Sequence, residues 1–308
     1  MALLYKADPV RGQHWQALFA EHAPDIAWRA WPDIGNPHEI EYLAAWQAPD
    51  DLAQLLPNLK VLFALSAGVD QLDLGRLPAD LPVVRLLDPG ITRGMCEYAS
   101  WAVLSLHRDM LRYRQQQMAR CWQAHALQPA VSRRIGVMGL GAQAQQILAT
   151  LAPLGFGLSG WARSAHRVAG VACYAGDAQL ATFLSRCDIL LCVLPLTEQT
   201  QGILDRRLFA QLPRGAAVIN MGRGGHLVEE DLLEALASGQ LSGAVLDVLQ
   251  EEPARADHPF WGHPQVVLTP HIAAMTQPGS AFAGLLENIR RFERGERMVG
   301  VVDRGRGY

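Results

Sequence analysis

Three side chains in the last third of the sequence have types and positions that could do chemistry. Arg223 stands in Val218-Ile219-Asn220-Met221-Gly222-Arg223-Gly224-Gly225, where an apolar run ends in glycines around a guanidinium. An Arg with little steric cover at a strand's carboxyl end offers a planar fork to a carboxylate. Glu252 lies in Glu251-Glu252-Pro253, just after the next apolar run and Asp247. His271 closes Leu268-Thr269-Pro270-His271, again at the end of a run. A carboxylate bonded to an imidazole fixes its tautomer and favours its protonated form. An imidazolium can hand a proton to a nascent alkoxide, which is what reducing a carbonyl demands. Each residue also has a plainer reading, Arg223 as a surface turn residue and His271 as a satisfied core histidine. Their order at successive run ends argues for a set.

A second group could hold a dinucleotide. Residues 135–138 are short and apolar, and Gly139, Leu140, Gly141, Ala142, Gln143 and Ala144 follow as G-x-G-x-x-A. Residues 142–154 are rich in Ala, Gln and Leu, so the context is strand, tight turn, helix. Gly139 permits the turn, Gly141 lets backbone approach a pyrophosphate, and Ala144 allows close helix–strand packing. First-turn N–H groups and the helix dipole favour the negative charge. The alternative is an ordinary strand–helix turn. About 20 residues on, NAD-binding proteins place an acid for the ribose hydroxyls. Here Ala162 takes that place, and Arg163 and Arg167 flank Ser164. Two cations and a hydroxyl without a carboxylate suit a 2′-phosphate, so NADPH is expected over NADH. A solvated basic loop is the competing reading.

These residues need elements to position them. Apolar runs at 2–5, 42–46, 61–65 and 83–87 predict a small parallel α/β unit. Trp46 closes the second run, and Ser66-Ala67-Gly68-Val69-Asp70 follows the third. Carboxyl ends of parallel strands are where open α/β sheets bind ligands. Residues 94–111 predict a long helix, and 111–129, with Arg112, Arg114, Arg120 and three successive Gln, an exposed arm. Further runs at 158–161, 189–194, 216–221, 244–248 and 266–268 alternate with helical stretches such as 229–238. That is the pattern of a doubly wound parallel sheet. A last helix is expected over 281–297.

With 308 residues the chain has room for about two domains. Its net charge of −3 gives no electrostatic case for nucleic acid or an anionic membrane. The longest apolar run, 189–196, is too short to span a bilayer. Five cysteines without C-x-x-C read as small core residues in a reducing compartment, hence a cytoplasmic protein. No metal site is expected: His258 and His263 near Glu251 and Glu252 form no recognised ligand set.

The motifs together resemble the D-isomer-specific 2-hydroxyacid dehydrogenase family. The matching segments are G-L-G-A-Q-A at 139–144, L-P-L-T at 194–197 and I-N-M-G-R-G at 219–224. L-D-V at 246–248, E-E-P at 251–253, T-P-H-I-A at 269–273 and S-A-G-V-D at 66–70 continue them. Trp46, W-A-R-S at 161–164 and the ending V-D-R-G-R-G-Y look closest to the family's glyoxylate/hydroxypyruvate reductase branch. The resemblance implies a Rossmann NADP-binding domain over 98–276. It also implies a smaller flavodoxin-like substrate domain from 1–97 and 277–308, a site in the cleft, and a homodimer through the nucleotide domain. By motif, Arg223 binds the carboxylate, His271 is the acid–base group and Glu252 its partner. Leu194, Pro195 and Asp247 lie by the cofactor, with Asp247 near the nicotinamide amide. Backbone at Ala67, Gly68 and Val69 helps hold the carboxylate, and Trp46 walls the group beyond the carbonyl. The expected reaction is NADPH-dependent reduction of small 2-oxo acids, glyoxylate to glycolate and hydroxypyruvate to D-glycerate. A dehydrogenase of larger D-2-hydroxy acids and a nucleotide-sensing interaction protein on the same fold remain the alternatives.

Overall fold

A computed structural model describes residues 1–66, 68–69, 71–275 and 277–305. The chain divides into two compact units, Met1–Ile91 with Met275–Tyr308, and Thr92–Ala274.

In the first unit, β1 (Ala2–Lys6), α1 (Pro9–His22), β2 (Ala27–Ala30), β3 (Ile40–Ala45), α2 (Leu52–Leu55), β4 (Val61–Ala64) and β5 (Val83–Arg85) follow in turn. The five strands are parallel, in the order β2-β1-β3-β4-β5. This is the flavodoxin-like order, with its switch point between β1 and β3. Strand side chains alternate between faces, so each short run feeds two cores. Leu3, Tyr5, Tyr42, Phe63 and Val84 face Trp15 and Phe19 of α1 and Phe282, Leu285 and Ile289 of the Pro278–Glu293 helix. Ala2, Leu4, Leu43, Leu62 and Val83 face Leu52, Leu56 and Leu72. Pro at its first turn and Asp8 accepting from the Arg11 N–H start α1. The buried Trp15 indole N–H donates to the Pro278 carbonyl at 2.9 Å, which ties the late helix to this unit.

The second unit opens within α3 (Pro89–His107), and this division and the expected 97/98 boundary both fall inside that helix, where no loop marks a border. Then come α4 (Met110–Met118), β6 (Arg134–Met138), α5 (Ala142–Leu151), β7 (Gly157–Ala162), β8 (Ala172–Ala175) and α6 (Asp177–Leu184). β9 (Ile189–Cys192), α7 (Arg206–Phe209), β10 (Ala216–Asn220), α8 (Glu229–Ala237), β11 (Leu241–Leu246) and β12 (Val266–Leu268) complete it. Seven parallel strands run β12-β11-β10-β9-β6-β7-β8. Six of them keep the doubly wound Rossmann order, which reverses between β6 and β9. Their two-sided burial explains the nearly unbroken apolar runs of β9 and β10.

Three local features depart from the sequence expectations. β2 and β8 are short edge strands with half-exposed, Ala-rich faces, which carry little alternating signal. The helix expected over 94–111 breaks where Asp109 takes a left-handed φ of 55°, and α4 follows separately. The arm expected over 111–129 is helical as far as Met118, with no buried residue in α4.

Candidate active site

The nucleotide fingerprint lies where the second sheet changes direction. Gly139 has φ 105°, a conformation open to glycine, and a Cβ there would stand 3.2 Å from the Val193 carbonyl. Gly141 caps α5, no side chain bonds the helix's first N–H groups, and a Cβ on it would meet nothing within 4 Å. The protein therefore keeps open ground in front of a helix N-terminus, which fits a pyrophosphate. Ala144 is buried on the inner face of α5, and Leu140 fills the space above Gly160, so only the Leu140 backbone can serve a ligand. The Gly139 N–H donates to the Trp161 carbonyl at 2.8 Å, which sets the end of β7 beside the turn. Trp161 is anchored beneath by its indole N–H on the Gly176 carbonyl at 2.9 Å. Ala162 is buried, and Arg163, Ser164 and Arg167 are exposed just past it. No acid stands at the strand end, and two guanidinium groups do, so this loop fits a 2′-phosphate. Across the switch point, Leu194 is buried and Pro195 exposed, and the Pro195 carbonyl accepts from Thr200 Oγ1 at 2.7 Å.

Arg223 follows β10 in a turn built by buried polar groups. Asn220, wholly buried, donates from Nδ2 to the Arg223 carbonyl and accepts the Gly222 N–H at Oδ1. The buried His226 accepts the Arg223 N–H at Nδ1 (3.1 Å), so its Nε2 carries the proton donated to the Pro195 carbonyl at 3.3 Å. Gly224 is required by contact: a Cβ there would lie 1.8 Å from the Leu249 carbonyl. That approach locks the Arg223 turn to the segment leading to Glu252.

Glu252 accepts the Leu249 N–H at Oε1 (3.0 Å) and meets His271 Nδ1 at Oε2 (2.8 Å). Nε2 is left as the ring nitrogen for a reacting oxygen. The Glu252 hydrogen bond and charge raise the His271 pKa above the ordinary imidazole value, against burial and the Arg223 charge. Burial acts against the Glu252 carboxylate, but the bonds from His271 and Leu249, with the Arg223 charge, hold its pKa below the usual range. The pair is thus poised as imidazolium and carboxylate, and Arg223 acts electrically on both.

His271 has a left-handed φ of 55°, a conformation costing a non-glycine residue about 1–3 kcal/mol. Asp247 compensates. Its carbonyl accepts the His271 N–H at 2.8 Å, and its carboxylate takes the Ile272 and Ala273 N–H groups at 2.8 and 2.7 Å and the Thr269 hydroxyl at 2.6 Å. Burial raises the Asp247 pKa, and those bonds oppose the rise. Sequence reasoning singled out Arg223 and Asp247 but missed Asn220 and His226, which build the Arg223 turn, and Thr269, which donates to Asp247 and is itself 2.5 Å from the Tyr98 hydroxyl. Asn220 and Thr269 stand within recognised motifs, while Tyr98 carries no local mark.

In the first unit, Trp46 directly follows β3 at that sheet's switch point, its N–H on the Lys6 carbonyl at 3.1 Å. Its side chain is 40% exposed, outside the core. Val69 is buried, and the Gly68 carbonyl accepts from Ser66 Oγ at 2.5 Å. Ala67 lies outside the described residues. Among the described residues no group of three or more His, Cys, Asp or Glu could hold a metal, and no helix is long and apolar enough to cross a membrane.

A Rossmann sheet with a nucleotide turn and an Arg–Glu–His set at its strand ends defines a dehydrogenase, and the chain belongs to the D-isomer specific 2-hydroxyacid dehydrogenase family. Residues 100–273 match that family's NAD binding domain. Over 96% of both chains it is 39% identical to a glyoxylate/hydroxypyruvate reductase A of Yersinia enterocolitica. A D-isomer specific 2-hydroxyacid dehydrogenase from Xanthobacter autotrophicus Py2, solved with NADPH and MES, superposes with TM-score 0.93 at 36% identity, over 100% of this chain and 99% of that one. An NADPH-dependent glyoxylate/hydroxypyruvate reductase from Sinorhizobium meliloti, solved with NADP and sulfate, gives 0.92 at 35% identity, with the same coverage.

Proposed function

We propose that this chain is an NADPH-dependent reductase of small 2-oxo acids, taking glyoxylate to glycolate and hydroxypyruvate to D-glycerate. The observation that carries the reading is the His271–Glu252 pair at 2.8 Å, with Arg223 acting on both in the same unit. When bound, the reduced dinucleotide supplies the hydride. The protein's own groups do the rest. The 139–144 turn holds the pyrophosphate, and Arg163, Ser164 and Arg167 hold the 2′-phosphate. Leu194 and Pro195 flank the cofactor, and the one acceptor place left on the Asp247 carboxylate is offered to the nicotinamide amide. Arg223 binds the substrate carboxylate with its planar fork, assisted by backbone at Ala67, Gly68 and Val69. His271 Nε2 gives its proton to the carbonyl oxygen, and Glu252 keeps that ring protonated and turned. Trp46 fills the space beyond the carbonyl and so favours hydrogen or hydroxymethyl there.

The 101–131 stretch exposes Trp101, Leu104, Met110, Met118, Trp122, Leu127 and Val131. So much uncovered apolar surface on one stretch supports a homodimer formed through this unit. The five unpaired cysteines support a reducing, cytoplasmic setting. The test is kcat/KM for glyoxylate, hydroxypyruvate and a branched 2-oxo acid, with NADPH and NADH, in the parent and Trp46→Ala. The parent should favour NADPH and the two small acids, and the variant should narrow the gap to the branched acid. A parent that prefers the branched acid rejects the substrate assignment. An unchanged ratio in the variant rejects Trp46 as the wall.

A further inference from the structure

Tyr98 sits on α3, far in sequence from Arg223, Glu252 and His271, yet its hydroxyl begins a chain of hydrogen bonds that ends on the two N–H groups following His271. Tyr98 Oη and Thr269 Oγ1 are 2.5 Å apart, and Thr269 Oγ1 lies 2.6 Å from Asp247 Oδ1. The protons on this chain have one arrangement. The Asp247 carboxylate already takes the Ile272 and Ala273 N–H groups. As an ionised acceptor it requires Thr269 to donate. Thr269 has a single hydroxyl proton, so Tyr98 must donate to Thr269. Tyr98 is 9% exposed and Asp247 1% exposed, which leaves water little access to either. Burial pushes the Tyr98 pKa up, in keeping with a hydroxyl that stays protonated.

We propose that Tyr98 and Thr269 are positioning residues for the proton donor: their ordered hydroxyls orient the Asp247 carboxylate, which in turn fixes the left-handed backbone at His271 and its ring against Glu252. The two residues adjoining His271 on its carboxyl side give their N–H groups to that one carboxylate. If Oδ1 loses the Thr269 proton, or Thr269 loses the hydroxyl that fixes its rotor, the carboxylate is held by the Ile272 and Ala273 N–H groups alone. The His271 turn is then less firmly held in its left-handed conformation. Misplacing a catalytic group by about 1 Å can cost 10²-fold in rate. The plainer role for Tyr98 is packing, since its ring meets Trp101 edge-on at 5.1 Å. A phenylalanine preserves that contact and removes only the hydroxyl.

The proposal rests on His271 as the proton donor. The experiment compares Tyr98→Phe, Thr269→Val and Thr269→Ser with the parent. It measures kcat, KM, the NADPH Kd, Tm, and hydrogen exchange of the 269–274 peptide in the enzyme without cofactor. Tyr98→Phe and Thr269→Val should each lower kcat about tenfold or more, with the NADPH Kd within about threefold. Both should speed exchange at Ile272 and Ala273, and Thr269→Ser should restore rate and protection. A kcat within about twofold of the parent in Tyr98→Phe overturns the relay, as does a Thr269→Ser variant no better than Thr269→Val. Unchanged exchange in both hydroxyl-free variants overturns it too. The two failures are distinguishable. Exchange that responds as expected in an enzyme whose His271→Ala variant keeps full kcat keeps the relay and removes the proton-donor reading.

Discussion

Around His271 the chain is tied at almost every polar atom: its N–H, the next two N–H groups, its Nδ1 and the hydroxyl two residues before it all have protein partners. Around Arg163 the same sheet ends differently, with Arg163, Ser164, Ala165 and Arg167 exposed and only the strand beneath them buried. The difference fits the two tasks proposed for them, proton donation at His271 and 2′-phosphate binding at Arg163. A proton moves only between atoms about 3 Å apart and aligned, so its donor needs a rigid, pre-built frame. A phosphate dianion is attracted from any direction, so exposed guanidinium groups on a firm strand end would suffice. One region invests in buried hydrogen bonds, the other in net charge.

The contrast can be broken most forcefully at His271. His271→Ala should lower kcat by about 10²–10⁴-fold, the usual share of a positioned acid, with little change in the NADPH Kd. A steady-state assay with stopped-flow binding checks this, and a loss confined to KM would count against it. At the other region, Arg163→Gln should leave kcat near the parent value and weaken NADPH by about 1.5–3 kcal/mol, a factor of roughly 10 to 150. NADH should weaken far less. Titration with each cofactor decides, and equal loss for both would remove the 2′-phosphate assignment. The smallest effect sharpens the comparison through pH. Glu252 raises the His271 pKa, and in the proposed reaction reduction uses the protonated ring. A neutral amide in Glu252→Gln withdraws that support, so the His271 pKa falls. The alkaline limb of the kcat/KM profile should therefore move to lower pH, while the profile of Arg163→Gln stays with the parent's. An unmoved limb in Glu252→Gln would dissolve the pair.

Much of this is legible in the sequence. The strand runs, the glycine turn and the order of Arg223, Glu252 and His271 depend on local chemistry, so they leave local marks. Strands β4 and β10 fall on their expected runs because they are short, apolar and buried within a parallel sheet. What escaped depends on distance. Tyr98 matters only because Thr269 reaches it across 171 residues, and no spacing rule carries that. Gly224 reads as one more flexible turn residue, but its real constraint is the Leu249 carbonyl 25 positions on. β8 escaped for the opposite reason, since a half-exposed edge strand of Ala-Cys-Tyr-Ala has little to bury and so little pattern to show.

The first unit draws on both ends of the chain, and that ordering matters on the ribosome. Trp15, Phe19, Tyr42 and Phe63 share one core with Phe282, Leu285 and Ile289. Domains tend to fold as units as they are made, and the second unit, continuous from Thr92 to Ala274, can do so. The first cannot. Its aromatic face, made before the second unit, waits uncovered through the synthesis of about 200 further residues until the helix that seals it emerges. A newborn chain is therefore stickier at this earlier-made face than in the unit that follows it. Its dependence on holding chaperones should be set by how long translation takes to pass from Thr92 to the end of the Pro278–Glu293 helix.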